Sequence, residues 1–320
     1  MCKGGEAMKP MVILTGPTAA GKTSLSIQLA HAINGAVISA DSMQVYKKMD
    51  IGTAKIMPEE MDGVDHYLVD VLDPAEDFNV VKFQQMAKEA LEKIYAKGQV
   101  PIIVGGTGFY IQALLYDIQF TDTERDEAYR AKLEQLAKEK GNHVLHEMLQ
   151  SVDPKSAEAI HENNVKRVIR ALEFYKETGI PISEHNEQER KRQSPYQSAY
   201  FVLTHERPIL YDRINRRVDL MMEHGLVEEV RKLKEEGYQR NLVSMQGLGY
   251  KEILQYLDGE ISLEEAVYIL KRDTRRFAKR QLTWFGRERD VIMVEKQKYE
   301  NEEAILSYML ETIRKRGIIC

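Results

Sequence analysis

MVILTGPTAAGKTSL, residues 11–25, decides how this chain folds. The apolar run up to Thr15 predicts a buried strand. Gly16–Thr23 predicts a tight loop, and Leu25, Leu29 and Ile33 fall at helical spacing on the inward face of a helix. Gly16-Pro17-Thr18-Ala19-Ala20-Gly21-Lys22-Thr23 fits G-x-x-x-x-G-K-[ST], with a strand before it and a helix after it, as that motif requires. Successive backbone N–H groups in such a loop form a concave cradle, and the following helix turns its positive end towards an anion. Glycine allows close approach of the backbone. Lys22 adds a point charge, and the Thr23 hydroxyl is a candidate magnesium ligand. A phosphate chain is therefore expected here; the motif does not say whose.

Outward from this stretch the pattern alternates. AVISAD (36–41), HYLVDVL (66–72), VPIIVGG (100–106), AYFVLTHE (199–206) and VIMVE (291–295) predict further strands. Helices are predicted over 78–97, 208–223, 226–236, 249–258, from Ser262 to about Phe285, and over 300–316. Such alternation predicts an α/β protein, a parallel P-loop NTPase-like sheet flanked by helices on both faces. The segment 123–185 offers no strand, only helical stretches at 124–140, 143–150, 156–162 and 164–178, followed by a charged, loop-like 184–195. The expected organisation is a catalytic core of 1–118 and 196–320 interrupted by an all-helical insertion domain, 119–195.

Composition narrows the class. The chain has 320 residues, 43% apolar and 30% charged, which suits a water-soluble globular protein. No run approaches the ~18–20 apolar residues of a membrane span. The opening MCKGGEAMKP has no apolar core of a secretory leader, and residues 1–9 are expected to be loose. Two cysteines, Cys2 and Cys320, make neither a disulfide framework nor a zinc site, and a cytoplasmic location is expected. A net charge of −5 argues against a general nucleic-acid coat, without excluding a local basic face.

Several features bear on chemistry. The strand PIIVGG ends in glycines where a nucleotide hydrolase would place a metal-binding Asp, and Ile111 stands where the third glycine of a dinucleotide fingerprint belongs. Asp41 closes the second strand. Ligands of open parallel sheets sit outside such strand ends, so Asp41 is either a proton acceptor facing the phosphate loop or a plain loop carboxylate. Residues 271–289 carry eight basic side chains against two acidic ones, with Phe277, Trp284 and Phe285 interleaved. This is either an amphipathic helix with a solvated face or a surface for RNA phosphates and unpaired bases. His143 and His146 lack acidic or cysteine partners in sequence and read as surface residues. The residues alone leave three classes open: a small-molecule kinase with the basic helix as lid, a non-catalytic RNA-binding module, and a transferase.

GPTAAGKT (16–23), DSMQVYKKMDIGTAK (41–55), DHYLVD (65–70), VGGTGFY (104–110), VKRVIRALE (165–173), LYDRINRRVDLM (210–221) and RRFAKRQLTWF (275–285) occur in this order. Together they resemble the bacterial tRNA dimethylallyltransferases, over about residues 11–287. Ala20 departs from the serine usual in that loop, a change that removes a hydroxyl and leaves the amide cradle. The resemblance implies transfer of a dimethylallyl group from its diphosphate to N6 of the adenosine 3′ of the anticodon. The phosphate loop, Gly16 to Thr23, would then hold prenyl diphosphate with Mg2+ at Thr23. Asp41 resembles the general base, and Thr107 and Arg213 resemble catalytic positions. Contacts to the tRNA anticodon stem-loop are implied for Asp41, Ser42, Met43, Gln44, Thr107 and Arg130. The same is implied for Lys166, Arg167, Val168, Ile169 and Arg170, for Gln246, Gly247, Leu248, Gly249, Tyr250 and Lys251, and for Lys279 and Arg280. His66 is a pocket candidate by family position. Relatives that prenylate free adenine nucleotides are a further alternative, and a monomer away from membranes is the default expectation.

Overall fold

The computed structural model describes residues 8–120 and 126–319. Cys2, Cys320 and nearly all of the stretch expected to be loose lie outside them. Six strands form one all-parallel sheet, β1 (Lys9–Thr15), β2 (Gly35–Ser39), β3 (His66–Tyr67), β4 (Val100–Gly105), β5 (Tyr196–Thr204) and β6 (Val291–Glu295). Their order is β3-β2-β4-β1-β5-β6, so β1 lies in the interior between β4 and β5. Val12, Ile13 and Leu14 are fully buried on both sides of the sheet, which is why β1 reads as a continuous apolar run without alternation.

Around the sheet stand α1 (Lys22–Ile33), α2 (Val80–Ala96) and α3 (Gly108–Leu115). The helices α4 (Glu127–Lys140), α5 (Asn142–Val152), α6 (Pro154–Ala159), α7 (Val165–Thr178) and α8 (Ile182–Lys191) follow. After β5 come α9 (Arg207–Glu223), α10 (Leu226–Glu235), α11 (Tyr250–Leu257), α12 (Leu263–Phe285) and α13 (Glu302–Lys315). The chain divides into two compact units, one of Met1–Leu115 with Pro195–Cys320 and one of Tyr116–Ser194. The first holds the whole sheet. The second, among its described residues, is helical and has its own core of Leu133, Leu145, Leu149, Val168, Ile169 and Leu172.

Three local expectations change. The third strand is only His66–Tyr67, because Leu68 and Asp70 take positive φ (63° and 56°) and end the extended run. Beyond it, Asp70 and Val71 donate to the carbonyls of Gln44 and Val45, strapping this segment to the loop after β2. A helix not expected from the sequence, α3, follows the glycines at the end of β4. Its GFYIQALL sequence is apolar nearly all round, so it shows no amphipathic stripe. The charged loop of 184–195 is largely α8, whose ISEHNEQERK lacks such a stripe for the opposite reason. Buried Asp153 anchors its start, accepting from the Ser183 N–H at 2.9 Å and its hydroxyl at 2.6 Å.

Candidate active site

At the C-terminal ends of β1, β2 and β4 lies a cavity of about 920 Å³. Its walls come entirely from the sheet-bearing unit. The phosphate loop supplies Thr18, Ala19, Gly21, Lys22 and Thr23. Gly16 is held at φ 143°, where a Cβ would overlap the Leu203 carbonyl of β5, so the close approach requires glycine. Ala20 is fully buried behind the loop and its N–H donates to the Pro17 carbonyl at 3.2 Å. The amides of Gly21, Lys22 and Thr23 have no hydrogen-bond partner among the described residues, since the first turn of α1 offers no acceptor.

Lys22 is half-buried and folds back on its loop. Its Nζ donates to the Gly16 carbonyl at 3.0 Å and the Pro17 carbonyl at 2.9 Å. Desolvation, then the Arg217 guanidinium, pull its pKa down to about 8, while the Asp41 carboxylate pulls the other way. Arg217 is drawn below its ordinary value by burial, opposed by Asp41, and as a guanidinium it keeps its charge. Asp41 and the loop lysine therefore face one cavity.

Asp41 lies just past β2. Its Oδ1 accepts from the Met43 N–H at 2.9 Å and the Gln44 N–H at 3.4 Å. It is at once a loop-capping carboxylate and a cavity group, so the two sequence alternatives are compatible. Ser42, Met43 and Gln44 also line the cavity. Gln44 donates to the Thr53 carbonyl at 3.3 Å and the Ala54 carbonyl at 3.1 Å, tying in the 50–54 loop. That loop hangs from Glu229, which accepts from the N–H groups of Asp50 (2.9 Å), Ile51 (2.7 Å) and Gly52 (3.0 Å) and from the Tyr250 hydroxyl (2.7 Å). Thr107 lines the cavity at the β4–α3 turn, with its N–H on the Ala40 carbonyl at 3.2 Å.

Two helices close the cavity. α9 lines it along most of Ile209–Met221, Arg213 and Arg217 included, and α12 contributes Leu270, Thr274, Phe277 and Gln281 at helical spacing. Arg213 Nε donates to the Ala19 carbonyl at 2.8 Å, fastening α9 to the phosphate loop.

The remaining sequence candidates separate by burial. Gln246, Gly247 and Leu248 line the cavity rim. Gly249 heads α11, donating its N–H to Glu252 at 2.8 Å, and Lys251 lies half-exposed beside it. Tyr250 is fully buried, its hydroxyl spent on Glu229, so its side chain is withdrawn from any RNA contact. Val168 and Ile169 are core residues of the helical unit and are likewise withdrawn, while Lys166, Arg167 and Arg170 are exposed on α7. Arg130 spends its Nε and one Nη on Glu173, both at 2.8 Å. Lys279 and Arg280 are exposed and outside every ion pair among the described residues, Arg280 lying 5.7 Å from the Phe277 ring centre. Lys271 pairs with Asp219, and Arg272 and Arg276 with Asp273, so that part of the basic stretch is internally neutralised. Phe285 is core, whereas Trp284 is part-exposed and meets Phe109 edge-on.

Two histidine readings are corrected. His66 is not among the cavity-lining residues. Its Nδ1 lies 2.8 Å from the Val64 carbonyl, and burial lowers its pKa. His146 is half-buried, with Nε2 at 2.9 Å from the carbonyls of both Ala157 and Ile160 at the end of α6. Sequence reading missed Arg217, Gln281, Phe78 and Tyr110 as cavity residues. For Arg217 a signal existed: it lies four residues, about one turn, after Arg213.

A loop of the phosphate-binding pattern, the Asp41 carboxylate and two arginines thus meet at one cavity. The model of the IPP transferase family matches residues 44–288, and the chain belongs to that family. A tRNA dimethylallyltransferase of Lachnoclostridium phytofermentans is 64% identical over 312 residues, 98% of this chain and 100% of the relative. One from Acetivibrio thermocellus is 54% identical, over 95% and 98% of the two chains. Among solved structures, the tRNA isopentenylpyrophosphate transferase of Bacillus halodurans superposes with a TM-score of 0.72 at 46% identity, covering 97% of this chain and 98% of that one. A eukaryotic dimethylallyltransferase acting on tRNA gives 0.79 at 29% identity, over 96% and 80%.

Proposed function

We propose that this protein transfers a dimethylallyl group from dimethylallyl diphosphate to N6 of the adenosine 3′ of the anticodon in tRNA, giving N6-isopentenyladenosine and diphosphate. The observation that carries the reading is the pairing of Asp41 with the phosphate loop across one cavity. The strand beside β1, β4, ends at Gly105 and is followed by Gly106, so the position of a hydrolase's metal-binding Asp holds none, and the carboxylate lies just past β2.

Each group has a task in this reaction. The allylic C–O bond breaks and its electron pair leaves on the diphosphate. The loop amides, Lys22, Arg213 and Arg217 stabilise that charge. The amine nitrogen forms the new C–N bond, and its proton goes to Asp41. Thr107 and the 42–44 segment hold the adenine, which must leave the anticodon stack to enter the cavity. Lys166, Arg167 and Arg170 of the helical unit, with Lys279 and Arg280 of α12, take RNA phosphates. Arg130 is retained as a contact through the guanidinium nitrogen that Glu173 leaves unused.

No group of three or more His, Cys, Asp or Glu side chains that could cage a metal occurs among the described residues. The Thr23 hydroxyl on the cavity wall suits Mg2+ nonetheless, because that ion takes few protein ligands and completes its shell with phosphate oxygens and water. When bound it would neutralise charge on the leaving diphosphate. No helix of the described residues is long and apolar enough to cross a membrane. A cytoplasmic monomer completes the proposal.

The test is mass spectrometry of nucleosides from undermodified tRNA incubated with the protein, Mg2+ and dimethylallyl diphosphate. N6-isopentenyladenosine is expected without ATP. Ready ATP turnover with tRNA left unmodified would overturn the reading in favour of a kinase, and prenylation of free AMP alone would replace the acceptor.

A further inference from the structure

Gln281 faces inward on α12 and is nearly fully buried, one turn from buried Ala278 and Phe285. Its side-chain amide bridges two loops that are far apart in sequence. Oε1 accepts the Thr18 N–H of the phosphate loop at 3.0 Å. Nε2 donates to the Gly106 carbonyl at 2.9 Å, one residue before Thr107. The fit is close, since a Cβ on Gly106 would overlap Gln281 Nε2.

This bridge sorts the loop's amides. Pro17 has no N–H, Ala20 donates to Pro17, and Thr18 donates to Gln281. The amides of Gly21, Lys22 and Thr23 are left to face an anion. The same bridge holds the phosphate loop at a set distance from the turn that carries Thr107, and transfer reactions are sensitive to such distances.

We propose that Gln281 is a positioning residue, locking the diphosphate-holding loop to the Thr107 turn so that donor carbon and acceptor nitrogen meet in line. This rests on the transfer reading above. Glutamine is required because one planar group must accept from Thr18 and donate to Gly106. A glutamate at this position would set a carboxylate against the Gly106 carbonyl and bring negative charge towards the anion. A methionine would fill the space and satisfy neither partner.

The experiment compares wild type with Q281M, Q281E and Q281A in two measurements. Calorimetric titration with inorganic diphosphate and Mg2+ reads the loop without any transfer step. Steady-state prenylation of tRNA then separates kcat, donor KM and tRNA KM. Loss of two buried hydrogen bonds predicts ~10- to 100-fold weaker diphosphate binding and a comparable fall in kcat over donor KM, with tRNA KM within about twofold. Q281E is expected to be the weakest diphosphate binder of the three. Thermal melts identify variants that are folded at the assay temperature, and Q281M, which keeps the volume, carries the test if Q281A is unstable. Folded Q281M that binds diphosphate and turns over within twofold of wild type overturns the proposal, as does a loss confined to tRNA KM. If wild type transfers nothing, the transfer reading fails, and the diphosphate titration still decides whether Gln281 orders the loop.

Discussion

The two sides of the cavity are built in different ways. On the phosphate side the donors are main-chain amides, set by Gly16 and Gly21 and by the start of α1. On the carboxylate side everything depends on side chains. Asp41 is oriented by two amides, Gln44 ties in the 50–54 loop, and Glu229 suspends that loop through three N–H groups. Apart from Lys22, the arginines and Gln281, the backbone-built side should tolerate changes of side chain wherever no Cβ intrudes, and the side-chain-built side should fail at single groups.

Asp41→Asn tests the second half of that statement most severely. It keeps the loop-capping acceptor and removes the proton acceptor, so kcat should fall ~10³-fold with both KM values little changed. A fall below tenfold in single-turnover prenylation would mean that another group takes the proton. Lys22→Met removes the one side-chain charge inside the cradle and should lower kcat over donor KM by ~10²-fold. Glu229→Gln weakens the suspension of the 50–52 loop. It should cost about tenfold in kcat over tRNA KM while diphosphate affinity in calorimetry stays put. A loss on the donor side instead would show that the two halves are one unit.

The pH dependence belongs to the donor side. Lys22 in the free protein has its pKa drawn down to about 8 from 10.5, and a bound diphosphate favours the charged ammonium. As pH rises through about 8 the free protein loses that cation, so donor KM should climb up to about tenfold per unit. Saturated kcat should hold to higher pH, because the bound form titrates later. A donor KM flat from pH 7 to 9.5 in Lys22 wild type would contradict this. Least of all should Ala20→Ser matter: the residue is buried behind the loop and contributes no cavity side chain, so donor KM should shift less than about twofold.

The phosphate side was legible in advance because its code is local: a strand, a glycine loop and Lys-Thr stand within residues 11–25. The parallel sheet was legible for the same reason, through apolar runs bounded by turns. What escaped notice is long-range or lacks periodicity. Gln281 meets Thr18 across 263 residues, and no spacing rule reaches that far. α3 is apolar nearly all round and α8 almost wholly polar, so neither shows the stripe that marks a helix. Tyr250 stood in a motif read as a contact, yet its hydroxyl serves Glu229 inside the core. Positions of function and of scaffolding are interleaved within one motif, and only burial separates them.

Lys22 bonded to its own loop has a consequence for which anions are admitted. The ammonium already has two carbonyl acceptors, so an incoming ligand competes with neutral partners the protein carries itself. Chloride or a single carboxylate can engage the lysine but leaves most of the neighbouring amides without an acceptor. A ligand with several adjoining anionic oxygens can engage the lysine and the neighbouring amides together, so the loop filters its guests by charge density before any part of their carbon skeleton is sensed.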